Sequence, residues 1–211
     1  FQNFSKKKIV RLNSNNILLL FGNSINFKRN NRIFNYDISY EFKCLKKLHK
    51  NFKNNRNYNF FYKIHPLDYK VKNFKKIISE KKFNKFRLID NNFRLKNVYK
   101  NFKCVIFLYN STEILNLIGK NLPIIICVNK NFINTLNSRA RRIFIKLNKS
   151  GILYDDINKA MKHIEKQEDL DAWWNSKKVL LSRKLFSENY VNTSDKNMNN
   201  VVKIIKKSIK G

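Results

Sequence analysis

Residues 104–128 read CVIFLYNSTEILNLIGKNLPIIICV, two apolar runs of strand length on either side of a polar turn and a short helical segment. Neither run, Cys104–Leu108 nor Leu122–Val128, alternates polar with apolar residues, so each has the pattern of a strand covered on both faces. Between them Ile114, Leu117 and Ile118 fall at spacings of three and one, along one face of a helix from Ser111 to Gly119. A buried strand, a helix and a second buried strand make a parallel β–α–β unit. The ligand edge of such a sheet is the one where strands end and helices begin.

The same alternation continues on either side of this unit. Residues 16–22, NILLLFG, read as a buried strand followed by a polar turn at 23–26. Ile38, Phe42, Leu45 and Leu48 mark a helix over 37–51, and Phe60–His65 reads as a strand stopped by Pro66. A short helix over 74–80, a strand over 86–89 and a helix over 138–148 follow, then three terminal helices over 155–168, 170–191 and 197–210. The expected fold is therefore α/β, a Rossmann-like parallel sheet with helices on both faces, plus C-terminal helices. Residues 1–168 form the sheet domain, with those before about 15 unassigned, and 169–211 are helices packing on it. A chain of 211 residues suits one sizeable α/β domain. It opens on Phe1 rather than Met, which suggests a longer reading frame and a missing N-terminal partner domain.

Composition bounds the function classes. A hydrophobic fraction of 43% excludes a disordered polycation. No run approaches the roughly 20 apolar residues of a membrane span, and no secretory signal pattern is visible, so the expected location is cytoplasmic. The three cysteines, Cys44, Cys104 and Cys127, show neither paired nor metal-type spacing. The formal charge of +31 by itself suggests nucleic acid. Yet Lys, Asn, Ile, Phe and Tyr are all abundant while Gly and Pro number only 4 and 2, the signature of an A/T-rich genome. The Lys residues are also dispersed, so nucleic acid is not the expected partner. A basic RNA-binding or ribosomal protein of an A/T-rich genome stays as the rival reading. A basic surface would equally suit peripheral contact with anionic inner-membrane lipids.

Two strand ends carry residues able to do chemistry. In Ile64-His65-Pro66-Leu67-Asp68-Tyr69, Pro66 holds His65 extended at the ligand edge. An imidazole there can donate a hydrogen bond to a phosphate or a leaving oxygen; the plainer alternative is a His bonded to a neighbouring loop. In Tyr109-Asn110-Ser111-Thr112-Glu113, hydroxyls and backbone N–H groups at a helix start offer an anion site. The alternative is a simple N-cap, worth about 1 kcal/mol. Glu113 either contacts a ribose or base or complements the helix dipole. Asp155-Asp156 read as a helix start, and Trp173-Trp174 as an anchor for the terminal helices. There is no Ser/His/Asp arrangement, His/Cys metal-ligand spacing or Gly-rich phosphate loop, so neither a metal nor an organic cofactor is expected.

In order and spacing, several segments together resemble a family of transferases encoded with bacterial lipopolysaccharide and surface-polysaccharide genes. They are Pro66-Leu67-Asp68-Tyr69, Tyr109–Thr112 with the helix to Gly119, Asn121–Ile125, then Ala140, Phe144, Leu147, Gly151-Ile152, Trp173-Trp174-Asn175 and 183–190. The likeness runs from about Tyr62 to Tyr190. That family usually has a tyrosine or similar residue where this chain has His65. A His-Pro turn followed by a Ser/Thr helix start is also similar, at greater distance, to the donor site of two-domain GT-B glycosyltransferases. Among those are capsule Kdo-transferases, bacterial sialyltransferases and teichoic-acid glycerophosphotransferases. The resemblance implies the C-terminal, donor-binding half of a nucleotide-sugar-dependent glycosyltransferase, with a saccharide or lipid-linked acceptor. It implies a catalytic role for His65 at the leaving phosphate, phosphate binding by Ser111, Thr112 and Asn110, and a ribose or base contact by Glu113. The catalytic base would come from the other domain, so this stretch would be inactive alone.

Overall fold

The structure is a computed structural model and describes residues 15–22, 38–52, 57–64, 86–89 and 99–190. Six strands, β1 (Asn16–Leu20), β2 (Asn59–Lys63), β3 (Phe86–Leu88), β4 (Cys104–Phe107), β5 (Ile124–Cys127) and β6 (Leu153–Tyr154), form one sheet in the order β3-β2-β1-β4-β5-β6. Every pairing is parallel. This is the strand order of a Rossmann-like sheet, in which the winding direction reverses between β1 and β4. The helices are α1 (Ile38–Phe52), α2 (Glu113–Gly119), α3 (Ser138–Lys149), α4 (Ile157–Lys166), α5 (Leu170–Trp174) and α6 (Lys177–Tyr190).

Strand periodicity divides the core into two layers, because successive side chains point to opposite faces. Ile17 and Leu19 of β1, Cys104 and Ile106 of β4 and Ile125 and Cys127 of β5 share a cluster with α1 and α4. Leu18 and Leu20, Val105 and Phe107, and Ile124 and Ile126 face the other way, against α2, α3 and α6. Polar residues would be stranded on either face, which is why these strands read as unbroken apolar runs.

The helix starts are set by side-chain caps that satisfy otherwise orphaned N–H groups. Asn137 accepts from Ala140 N at 2.9 Å, Asp156 from Asn158 N at 2.8 Å, and Asp169 from Asp171 N at 2.7 Å. The expected helix over 170–191 is in fact two. Asn175 turns its amide onto the Asp171 carbonyl at 2.7 Å, Ser176 N reaches back three residues to Trp173 O, and α6 starts afresh. The sixth strand was not expected from the sequence; its two residues are too few to show a period. The expected turn at 23–26 and helices over 74–80 and 197–210 lie outside the described residues.

A buried guanidinium fastens the terminal helices to the sheet domain. Arg183 is 2% exposed, and it donates to Trp174 O at 3.1 Å, Ile118 O at 3.2 Å and Asn121 Oδ1 at 2.8 Å. Its carbon centre also lies 4.2 Å from the Trp174 ring centroid. Among the described residues no carboxylate pairs with it. The carbonyls at the C-terminal ends of α2 and α5 supply the compensating negative potential. Burial lowers its pKa to about 10, so it stays charged at neutral pH. Asn121 reaches it from a left-handed turn (φ 54°) that closes α2, and Trp174 is fully buried, as expected of an anchoring residue.

Candidate functional site at the carboxyl edge of the sheet

The chain leaves β1 towards α1 on one face and leaves β4 towards α2 on the other. The topological switch point of the sheet therefore falls between the two strand ends, the place where ligands of such sheets bind. Leu108 N still donates to Leu20 O at 3.0 Å, so pairing persists to the ends of the two strands. On the β1 side Gly22 N donates to Glu41 Oε1 at 2.8 Å. Glu41 lies in the first turn of α1 and is 1% exposed. On the β4 side comes the half-buried Tyr109, its phenol pushed up by burial and by the Glu41 and Glu113 carboxylates, against an opposing pull from Ser111. Glu41 was invisible to sequence reasoning, which saw only the apolar stripe of α1.

The helix start after β4 is more self-contained than its sequence suggests. Ser111 Oγ accepts from Glu113 N at 3.2 Å, while Ile114 N and Leu115 N return to the carbonyls of Ser111 and Thr112. Thr112 occupies the cap position in helical conformation (φ −63°, ψ −25°) and makes no side-chain cap bond. Its side chain and that of Asn110 are exposed. The α2 helix has only 7 residues, so its dipole is short. Glu113 is braced from two sides, Oε1 accepting from Tyr99 Oη at 2.9 Å and from Asn116 Nδ2 at 3.0 Å. Burial and this carboxylate push the Tyr99 phenol well up.

Register fixes how β2 relates to this turn. Leu20 pairs with Lys63 on one side and Phe107 on the other. Lys63 and Phe107 thus stand level, two strand spacings or about 10 Å apart. The ends of β2 and β4 lie on one edge, as the sequence implied. His65 follows the buried Ile64 in the chain and, with 66–69, lies outside the described residues.

Farther along the edge, a cavity of about 420 Å³ opens between the ends of β5 and β6, bordered by Val128, Lys130, Ile133, Tyr154, Asp155 and Lys159. A second, of about 280 Å³, lies across Asp155 and is bordered by Tyr40, Lys43, Cys44 and Lys47. Tyr40 Oη donates to Asp155 O at 3.1 Å, Lys159 pairs with Asp155 at 3.1 Å, and Lys47 pairs with Asp156. Burial would raise the Asp156 carboxyl, but Lys47 and the Asn158 N–H hold it below its ordinary value. Asp156 is the helix cap that the sequence predicted. Asp155 flanks both cavities, a position that could be read only once β6 was recognised.

The cysteine thiols are buried and free, and burial pushes Cys44 up to about 12. Among the described residues no cluster of three or more His, Cys, Asp or Glu side chains could hold a metal ion, and no helix is long and apolar enough to cross a membrane.

No curated protein and no solved structure matches this chain. The sequence model of the LIC12162 family transferases does match, over residues 1–205, and the chain therefore belongs to that family of transferases.

Proposed function

We propose that this transferase moves a sugar from a nucleotide-activated donor, and that the chain holds the donor. In this reading it is the C-terminal half of a GT-B glycosyltransferase acting in surface-polysaccharide or lipopolysaccharide assembly. The observation that carries the reading is the β1/β4 switch point in a member of a transferase family, with the Asn110-Ser111-Thr112 turn following β4 in the chain. The donor phosphate lies against the Thr112 hydroxyl and the N–H groups of Ser111 and Thr112, while Ser111 Oγ keeps the turn in shape. His65, which follows β2 in the chain, donates to the leaving phosphate. Ribose lies towards Glu113, which Tyr99 and Asn116 hold in place. The acceptor hydroxyl attacks the anomeric carbon and the bond from that carbon to the phosphate oxygen breaks. The nucleotide departs with the electron pair, and the acceptor's proton passes to a base supplied by a partner domain. Hydrogen bonds aimed at the leaving phosphate lower the barrier by stabilising charge as it develops.

Calorimetry of the full-length protein against a panel of nucleoside mono- and diphosphates tests this. Ser111→Ala with Thr112→Ala is expected to weaken the preferred nucleotide at least roughly tenfold, about one charge-assisted hydrogen bond. Unchanged binding would remove the turn from the site. The charge of +31 supports a second reading, an RNA-binding protein. It requires tight binding at physiological salt with a steep salt dependence, which the same preparation can be tested for.

A further inference from the structure

Among the described residues, the outward face of α6 pairs two exposed leucines with a group of exposed lysines. Leu180 and Leu181 are 41% and 59% exposed. Lys177, Lys178 and Lys184, all exposed, lie three to four residues from Leu181 and so share its side of the helix. Glu188 alone opposes them, and Lys184 holds it at 3.8 Å. The neighbouring α3 packs alongside, with Ser182 Oγ donating to Lys146 O at 3.4 Å. It contains no acidic residue and exposes Arg142, Lys146 and Lys149. On the opposite face of the sheet, α1 exposes Lys43, Lys46 and Lys50, with no exposed large apolar side chain among its described residues.

We propose that the α6–α3 face docks on an anionic phospholipid surface. Leu180 and Leu181 enter the headgroup boundary while the surrounding cations pair with lipid phosphates. The leucine pair decides between bilayer and nucleic acid. Both partners neutralise lysines, but only a bilayer takes exposed leucine out of water.

Co-sedimentation of the full chain with phosphatidylglycerol vesicles, against phosphatidylcholine vesicles, is the test. Binding is expected on the first and not the second. Lys177→Gln, Lys178→Gln and Lys184→Gln together should weaken it about a hundredfold, from roughly fivefold per cation near the surface. The matched α1 variant, Lys43→Gln, Lys46→Gln and Lys50→Gln, should weaken it far less. Leu181→Trp keeps every charge, and its added fluorescence should shift to the blue on anionic vesicles. Equal losses in the two lysine variants, an unshifted tryptophan, or α6-dependent binding to single-stranded RNA without vesicle binding would each overturn the assignment.

Discussion

Replacing Arg183 by methionine should destabilise the protein by about 3 kcal/mol, from roughly 1 kcal/mol for each of three acceptors left without a donor. Those acceptors are Trp174 O, Ile118 O and Asn121 Oδ1, at 3.1, 3.2 and 2.8 Å. Two effects beyond the acceptors nearly cancel. The stacking on Trp174 is lost, worth about 1–2 kcal/mol for a desolvated cation, but a guanidinium no longer has to be stripped of water. Because no carboxylate among the described residues pairs with Arg183, the substitution leaves no uncompensated charge there, which keeps the cost below that of breaking a buried ion pair. For a protein of this size the loss corresponds to a fall in Tm of roughly 6–12 °C. Urea unfolding followed by far-UV circular dichroism would measure it, and near-UV signal from the fully buried Trp174 should weaken first. Arg183→Lys should cost nearly as much, since one ammonium cannot span the ends of two helices. A cycle with Asn121→Ala should return a coupling of about 1 kcal/mol or more. A loss under about 1 kcal/mol in Arg183→Met, with no coupling to Asn121, would refute the idea that this residue joins α2, α5 and α6.

Two further outcomes follow from burial. The His163 Nε2 is buried without a partner, the ring lies 4.7 Å from the Trp173 ring, and desolvation lowers its pKa from 6.5. The unfolded chain therefore binds a proton that the native state resists, and stability should fall as pH drops through about 6.5, then level off below the native pKa. Urea midpoints at pH 7.5 and 5.5 should show that fall, and His163→Gln should flatten it; an unaltered slope would exclude this residue as the cause. The depressed Asp156 carboxyl acts in a separate window, its contribution being lost only as pH falls below about 3.8. The thiols form the second case. Cys44 is pushed up to about 12 and Cys127 well above 9.0, both by desolvation first, and Cys104 is fully buried. A thiol reagent at pH 8 should leave all three untouched in the native protein and titrate all three in denaturant; prompt native reaction of any one would show that its layer opens.

The sheet was legible in the sequence because burial on both faces forbids polar residues, a rule that β4 and β5 obey throughout and β1 obeys from Ile17 onward. What the sequence lost, it lost for local reasons. The two residues of β6 show no period, and their place is fixed only by pairing Leu153 with Ile126 and Tyr154 with Cys127. The break between α5 and α6 depends on which carbonyl the Asn175 amide takes, a competition that composition does not reveal. Of the candidate site, the turn at Ser111 and its position on the ligand edge were readable from strand–helix alternation. Glu41 was not, because a carboxylate in a helix is ordinarily solvated, and nothing in the chain says that Gly22 returns to meet it.

The electrostatics of the β1/β4 edge constrain how an anionic donor could lie there. Two carboxylates act on Tyr109, Glu41 on α1 and Glu113 on α2, and each would repel a phosphate placed beside it. Glu113 has moved part of the way out of that conflict, since Tyr99 and Asn116 hold its oxygens. A diphosphate is then best accommodated on the exposed side of the turn, at Asn110 and Thr112, rather than along the axis of the short helix. That placement leaves hydroxyl-rich parts of a donor, a ribose or a sugar, as the natural neighbours of the carboxylates, because they donate hydrogen bonds where phosphate can only accept them. In the proposed reading, phosphate and ribose would then be separated by charge. The net charge of the chain enters only at longer range, drawing an anionic ligand towards an edge whose innermost groups are themselves acidic.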